Sequence, residues 1–487
     1  MSRFISLVLI CLCLAACAPG TLPTLSAQAC FEESGQRFDE IVNCYRQEQA
    51  AQPLTYSKKI VTQIDGGQQW RYQLTSQHWS PEHLVQPDAW THDVVITIPD
   101  HALSERAVII ANNGINNAAN PSMLKPASDF SADMAATLAK QTRTIVVSVS
   151  DVPNQYLTYL DDAVARREDS SVAHSWNLFM QAPQTRAFNS LHVPMMETVV
   201  KAMDLAEREL QPWRIHHFIA TGASKRAWAI WLAALVDTRI EAIAPLVLDI
   251  LNMNSVLTHT YAVYGGNWPY AFGDYVREGV IAQRGSPQFA NLIRIEDPWE
   301  YLQSAYAHRL TIPKYIINAS GDDFFVPDNS QFYFDRLPGV KAMRVAPNTS
   351  HAGILNYAQT SLATMVNRMQ KGRELPAVVT QVVEKNAGGQ IVNIRFSEPP
   401  VKLVQWLAVN PLARDFRYAC GIRYQANALT PTQTLSVAMA SPQQGWSATF
   451  VEAEFADGFV LTTPVRVLPD NYPTSAPPET TAGCKTL

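Results

Sequence analysis

The sequence predicts an α/β fold built on a parallel sheet, followed by an all-β domain. Three observations carry that expectation. Short apolar runs that read as strands alternate with helical runs between about residues 106 and 370, the pattern of a parallel sheet. One of those strands, opening at Ile215-His216-His217-Phe218, runs through Gly222-Ala223-Ser224 straight into Lys225 to Val236, an apolar stretch with neither Gly nor Pro. After Pro376 the alternation stops, and strand-like runs separated by turn residues take over. With 487 residues the chain is long enough for two domains and a large core.

The N-terminus reads as a targeting segment. Arg3 supplies a minimal positive region, and Phe4 to Ala16 is an apolar run too short to span a bilayer. Leu14-Ala15-Ala16-Cys17 resembles a bacterial lipobox, in which Cys17 is lipidated and becomes the first mature residue. This predicts residues 1–17 as a lipoprotein signal and a membrane-attached protein in the periplasm or at the outer membrane. Ala27-Gln28-Ala29 offers the alternative of secretion after cleavage at Ala29. The lipobox is preferred because it abuts the apolar run, while Ala29 lies beyond a polar spacer. Both readings export the chain, and cysteine usage agrees. Of 7 cysteines, Cys11 and Cys13 fall in the signal and Cys17 carries lipid, leaving Cys30, Cys44, Cys420 and Cys484 in an oxidising compartment. Cys30 with Cys44 and Cys420 with Cys484 is the simplest of the possible pairings. No Cys-x-x-Cys or paired-His spacing suggests a metal, and no cofactor is expected. The net charge is −5 and no basic stretch stands out, which excludes the electrostatic footprint of a nucleic-acid binder.

Taken in order, residues 18–30 are small and Pro-containing and read as a tether, with the N-terminal segment extending to residue 45. The domain expected over 46–375 begins with strands at Trp70 to Thr75 and Asp93 to Ile98. Arg106 to Ala111 is apolar enough to be a central strand and ends in the turn-forming run Asn112-Asn113-Gly114. A helix over Asp129 to Gln141 and a buried strand over Arg143 to Ser150 follow. Residues 151–193, with Arg166-Arg167-Glu168-Asp169, break the pattern and read as an insertion over the sheet edge. Pro194 opens a helix at its favoured first-turn position. Ile240 to Leu248 is a strand ending at Asp249. The aromatic-rich residues 250–312 read as a mostly helical cap, and ordinary core packing accounts for most of those rings. Lys314 to Asn318 and Lys341 to Val345 complete the sheet, and residues 352–370 close it as a helix. Residues 376–487 form the all-β, sandwich-like domain and its Pro-rich tail.

The strand–Ser–helix turn is the geometry of a nucleophile elbow, whose small neighbours let strand and helix pack closely. Arg226 stands where the usual Gly-x-Ser-x-Gly pattern has its last glycine. A Gly-x-Ser turn can also be an ordinary helix start. Order decides the matter: Ser224 follows one strand, Asp322-Asp323 a later one, and His351 the last. Ser, then acid, then His is the order of α/β-hydrolases, each residue at the C-terminal end of a parallel strand. A Ser hydroxyl needs a base to take its proton, and a carboxylate fixes the His tautomer and stabilises the imidazolium. Ser224 is therefore the expected nucleophile, His351 the base and Asp322 the acid. Asp323 is expected to face solvent or cap the following turn, and Asp323 and Asp249 are the alternative acids. The backbone N–H of Lys225 and one from Asn113 or Gly114 are the expected oxyanion donors. Lys225 and Arg226 are either paired or available to an anionic group. His216 and His217, in the elbow strand, read as structural.

Several stretches resemble the PhoPQ-activated pathogenicity-related proteins. They are Thr221-Gly222-Ala223-Ser224-Lys225-Arg226-Ala227-Trp228, Gly321-Asp322-Asp323-Phe324-Phe325-Val326-Pro327-Asp328, Pro347-Asn348-Thr349-Ser350-His351 and Val152-Pro153-Asn154-Gln155. Leu74-Thr75-Ser76-Gln77 and Leu461-Thr462-Thr463-Pro464 extend the resemblance to about residues 45–470. It implies an exported α/β-hydrolase-like protein linked to envelope stress or virulence regulation in some bacteria, and it names no substrate. The Asn112-Asn113-Gly114 loop departs from the Gly-rich form of that family.

The expected fold is thus an α/β-hydrolase with a helical cap insertion and a C-terminal all-β, sandwich-like domain. The expected function is a serine hydrolase cleaving an ester or amide bond in a small molecule or peptide. A catalytically silent binding or scaffold protein on the same fold is the alternative.

Overall fold

The structure, a computed structural model, describes residues 25–386 and 388–487. The expected signal segment and Cys17 lie outside the described residues. The N-terminal segment is not a tether beyond residue 26: α1 (Ala27–Glu33) and α2 (Ile41–Ala50) are helices joined by the Cys30–Cys44 disulfide. Ser26 caps α1 by accepting from the Ala29 N–H, and the Ala27 N–H donates to Glu48 Oε2, so the first helix is fastened to the second.

Nine strands make the main sheet: β1 (Thr55–Ile64), β2 (Gly67–His78), β3 (Ala89–Pro99), β4 (Arg106–Ala111), β5 (Ile145–Val149), β6 (His217–Ala223), β7 (Ile240–Leu246), β8 (Lys314–Ala319) and β9 (Lys341–Ala346). Their order across the sheet is β1-β2-β3-β5-β4-β6-β7-β8-β9. The strands from β5 to β9 run parallel, and β1, β2 and β3 pair antiparallel to their neighbours. The crossover of β5 and β4 with one reversed strand outside it is the α/β-hydrolase topology, with β1 added at the edge. The parallel strands are covered on both faces, which is why β4 and β5 are apolar apart from Arg106 and Ser148. β1 is exposed along most of its length and carries Lys58 and Lys59, as edge strands do.

The covering helices are α3 (Ala132–Thr142), α5 (His192–Glu209), α6 (Lys225–Val236) and α10 (Leu355–Gln370), with α4 (Glu168–Gln181) between α3 and α5 in sequence. α6 is buried from Lys225 to Leu235, an all-round burial that its Gly- and Pro-free apolar sequence anticipates. The cap consists of α7 (Met253–Val263), α8 (Gly273–Arg277), α9 (Pro287–Glu296) and short 3₁₀ turns. Residues 151–193 hold a small antiparallel sheet, in which Leu157–Tyr159 pairs with Val85–Gln86 and with Val164–Arg166. Their helix α4 packs on cap helices α8 and α9 and adds its first turn to the elbow.

The C-terminal region holds β10 (Val378–Asn386), β11 (Gly389–Phe396), β12 (Lys402–Asn410), β13 (Gln425–Leu429), β14 (Thr434–Ala440), β15 (Trp446–Glu454), β16 (Val460–Thr462) and β17 (Arg466–Leu468). One antiparallel sheet runs β10-β11-β14 and the other β13-β12-β15-β16, with β17 also on β15. This region shares a core with the main sheet. Tyr315 of β8 stacks on Phe459 at 4.5 Å, and the Val345 N–H of β9 donates to Thr462 Oγ1 at 3.0 Å. The Cys420–Cys484 disulfide ties the tail back, and the Leu487 N–H donates to Trp268 O of the cap.

Candidate active site

Ser224 joins β6 to α6 with φ 56° and ψ −125°, a backbone conformation that non-glycine residues rarely hold. The turn is tight enough to require Gly222. A Cβ there would stand 2.9 Å from the Arg226 carbonyl carbon and oxygen. Lys225 is the first residue of α6, so its N–H has no acceptor within the helix and is presented at the turn. The β4–β6 register sets Ala111 beside Gly222, which brings the loop after β4 alongside the elbow.

That loop separates the two expected donors. The Asn113 N–H is already given to the Asn112 side chain at 3.0 Å, and the Asn113 amide bridges Ser128 and Asp129. Gly114, at φ 143°, makes the close approach: a Cβ would fall 2.2 Å from Asp151 Oδ1. Among the described residues its N–H meets no acceptor.

The two loops after β8 and β9 bring Asp322 and His351 together. His351 Nδ1 lies 2.9 Å from both carboxylate oxygens of Asp322. An ionised carboxylate only accepts, so Nδ1 carries the proton and Nε2 is left as the basic nitrogen. Burial alone would lower the pKa of His351, but the charge and hydrogen bond of Asp322 outweigh it and the pKa is raised. Asp322 also caps its own turn, accepting from the N–H groups of Phe324 and Phe325 at 2.8 and 3.3 Å. That role was expected of Asp323, which is half-buried, its pKa raised by burial and by the charge of Asp322. Asp249 is fully engaged elsewhere. Its carboxyl group accepts from the Tyr333 hydroxyl, and burial pushes its pKa to about 8.

Phe324 and Phe325 flank the His351 ring at 4.7 and 6.0 Å and line the same pocket as Ser224. The pocket lies beneath the cap, walled by Trp176, Trp228, Leu257, Phe272, Phe289 and neighbouring apolar side chains. Its polar side chains include Ser224, Lys225, Asp169 and Tyr275, whose hydroxyl donates to Asp169 at 3.0 Å. Lys225 and Arg226 are paired rather than free. Lys225 Nζ sits 2.8 Å from Glu168 and 3.2 Å from Asp169, and Arg226 is 2.6 Å from Glu168. Burial raises the pKa of Glu168, but the two cations overcome that and hold it well below the usual range. The sequence reading assigned no role to Glu168 or Asp169. Two adjacent cations at a buried elbow were the signal that two acids had to meet them. His216 and His217 lie at the exposed start of β6, His216 pairing with Glu207 at 3.2 Å.

The family model described as PhoPQ-activated pathogenicity-related protein matches residues 42–417. Autocrine proliferation repressor protein A of Dictyostelium discoideum is 30% identical over 434 residues, covering 82% of this chain and 85% of that protein. Among solved structures, an acetyl xylan esterase from Paenibacillus sp. R4 is similar with a TM-score of 0.46 and 13% identity, over 68% of this chain and 94% of that one. An acylaminoacyl peptidase of Pyrococcus horikoshii gives a TM-score of 0.37 and 13% identity, over 66% and 42%.

Proposed function

This chain belongs to the PhoPQ-activated pathogenicity-related protein family, and we propose that it is an exported serine hydrolase cleaving an ester or amide bond, peptide bonds included. The observation that carries the reading is the His351–Asp322 pair, its imidazole flanked by the two phenylalanines that wall the pocket of a strained Ser224. In this reading Ser224 Oγ attacks the substrate carbonyl while His351 Nε2 takes its proton. The tetrahedral oxyanion is met by the N–H groups of Lys225 and Gly114. The imidazolium then protonates the leaving group, the acyl group remains on Ser224, and water releases it by the same path. The apolar walls favour a substrate that presents an apolar group to the pocket.

Export is supported by the two disulfides. Lipidation at Cys17 leaves α1 whole. Cleavage after Ala29 would instead remove its cap and its first residues, including buried Ala27.

The test is labelling with a fluorophosphonate probe. The native chain is expected to be labelled at Ser224, and Ser224→Ala to lose both labelling and hydrolysis with its fold intact. An unlabelled native chain would overturn the enzyme reading and favour a silent binding protein on this fold.

A further inference from the structure

We propose that Gln155 is a positioning residue of the oxyanion site: it locks the loop that carries Gly114 to the helix that carries the Lys225 N–H. The inference rests on the serine-hydrolase reading above and gives a role to Val152-Pro153-Asn154-Gln155.

Gln155 is 1% exposed, and both ends of its side chain are used. Its Nε2 donates to Gly114 O at 2.6 Å and to Glu168 Oε1 at 2.8 Å. Its Oε1 accepts the Glu168 N–H at 3.1 Å. The peptide on the other side of Gly114 is held from the same segment, because the Asp151 N–H donates to Asn113 O at 3.0 Å. A peptide is planar with its C=O and N–H opposed. Fixing Asn113 O therefore fixes the direction of the Gly114 N–H, and fixing Gly114 O stops the next peptide from turning it. Segment 151–155 thus pins both peptides that flank the proposed donor.

The other end of the clasp is the elbow. Glu168, which Gln155 grips through two bonds, pairs with Lys225 and Arg226, and Arg226 Nε donates to Val152 O at 2.7 Å. Arg226 occupies the position where the usual pattern has glycine. A glycine there has no side chain with which to reach Val152 or Glu168. The departure from Gly-x-Ser-x-Gly is in this chain an attachment point, by which α6 is tied to the segment that sets Gly114. The two donors that must converge on one oxygen sit on different elements, and Gln155 and Glu168 fix their separation. Preorganised donors matter most as charge develops in the transition state, so loosening them lowers turnover more than substrate binding.

The experiment uses the full mature chain and Gln155→Met, which keeps length and removes both hydrogen-bonding ends, with Gln155→Ala as the second variant. Three quantities are read on an activated ester: kcat, KM, and the affinity of a boronic acid, whose tetrahedral adduct needs the oxyanion donors. The expected result is kcat lowered by about 10- to 100-fold and boronate affinity lowered by a similar factor, with KM within about twofold. Thermal melting shows whether each variant is folded. A folded variant with native kcat and boronate affinity overturns the proposal, and so does one whose KM rises while kcat holds. Ser224→Ala run in parallel separates the two levels. If it keeps its activity, the serine-hydrolase reading fails and the proposal with it. If it is dead while Gln155→Met is fully active, the proposal alone fails.

Discussion

Asp322 holds the His351 ring with both of its oxygens, each 2.9 Å from Nδ1, and Asp323 beside it makes no hydrogen bond to that ring. Adjacent carboxylates in one loop are told apart by which end of the turn each serves. Asp322 Oδ1 also accepts from two backbone N–H groups, so its orientation is held independently of the imidazole. Asp322→Asn is expected to lower the acylation rate by several orders of magnitude, up to about 10⁴-fold, by disturbing the His tautomer. Asp323→Asn should change it by less than about tenfold. Stopped-flow acylation of the two variants checks this, and the reverse ranking would make Asp323 the acid.

The pH dependence follows from the same pair. In the proposed mechanism His351 serves as base only when neutral, and the charge of Asp322 raises its pKa despite burial. The acidic limb of kcat/KM should therefore lie above about 6.5, the ordinary imidazole value, with activity falling as pH drops through it. Removing the carboxylate charge in Asp322→Asn should move that limb down as well as lowering the rate. A pH–rate profile of both proteins measures the shift, and an unmoved limb would show that another group sets it.

Where burial is two-sided, the sequence states the structure. Arg106–Ala111 and Lys225–Val236 have the bounds that their apolar runs announce. Among the strands that were missed, Thr55–Ile64 lies at a sheet edge and is mostly exposed, so no apolar alternation marks it. The helix Ala27–Glu33 was hidden by its length, since seven residues with two buried positions carry little periodicity. The strand-end positions of Ser224, Asp322 and His351 were legible because the sheet orders them along the chain. Glu168 and Gln155 were not assigned, because their partners are 58 and 41 residues away in sequence and meet them only in the folded state.

Gly222 offers a test of the elbow that leaves every chemical group in place. In Gly222→Ala the new Cβ would meet the Arg226 backbone at 2.9 Å, and main chain in a helix start yields little. The variant should lose about 1–3 kcal/mol of stability and most of its fluorophosphonate labelling. Urea titration and probe kinetics measure the two losses. A native labelling rate would show that the turn relaxes without moving Ser224.

The two disulfides should differ in weight. Cys420–Cys484 closes 64 residues and Cys30–Cys44 closes 14, so the chain-entropy cost of opening them is about 4 and about 3 kcal/mol. The longer one also holds the segment whose Tyr418 N–H donates to Gly321 O, next to Asp322. Replacing Cys420 and Cys484 by Ser should lower both the melting temperature and activity, while the Cys30/Cys44 pair of replacements should act on stability alone. Equal loss of activity in both would mean that the tail disulfide has no special hold on the acid loop.

Asp249 makes a prediction of opposite sign to a salt-bridged carboxylate. Burial, helped by the charges of Asp322 and Asp328, pushes its pKa to about 8 against the hydrogen bond from Tyr333. The folded protein therefore keeps a proton there at neutral pH that the unfolded chain releases near pH 4. Between those values the folded state binds more protons, so stability falls as pH rises, and the loss is complete above about 8. Asp249→Asn removes the titration, and its side chain still accepts a hydrogen bond from Tyr333. The variant should lose less stability than the native chain between pH 5 and pH 9, the two curves diverging on the alkaline side by on the order of 1–4 kcal/mol. Chemical denaturation across that range decides it. Parallel curves would mean that Asp249 is ionised in the folded protein, and the hydrogen bond it accepts from Tyr333 would then be a charge-assisted one.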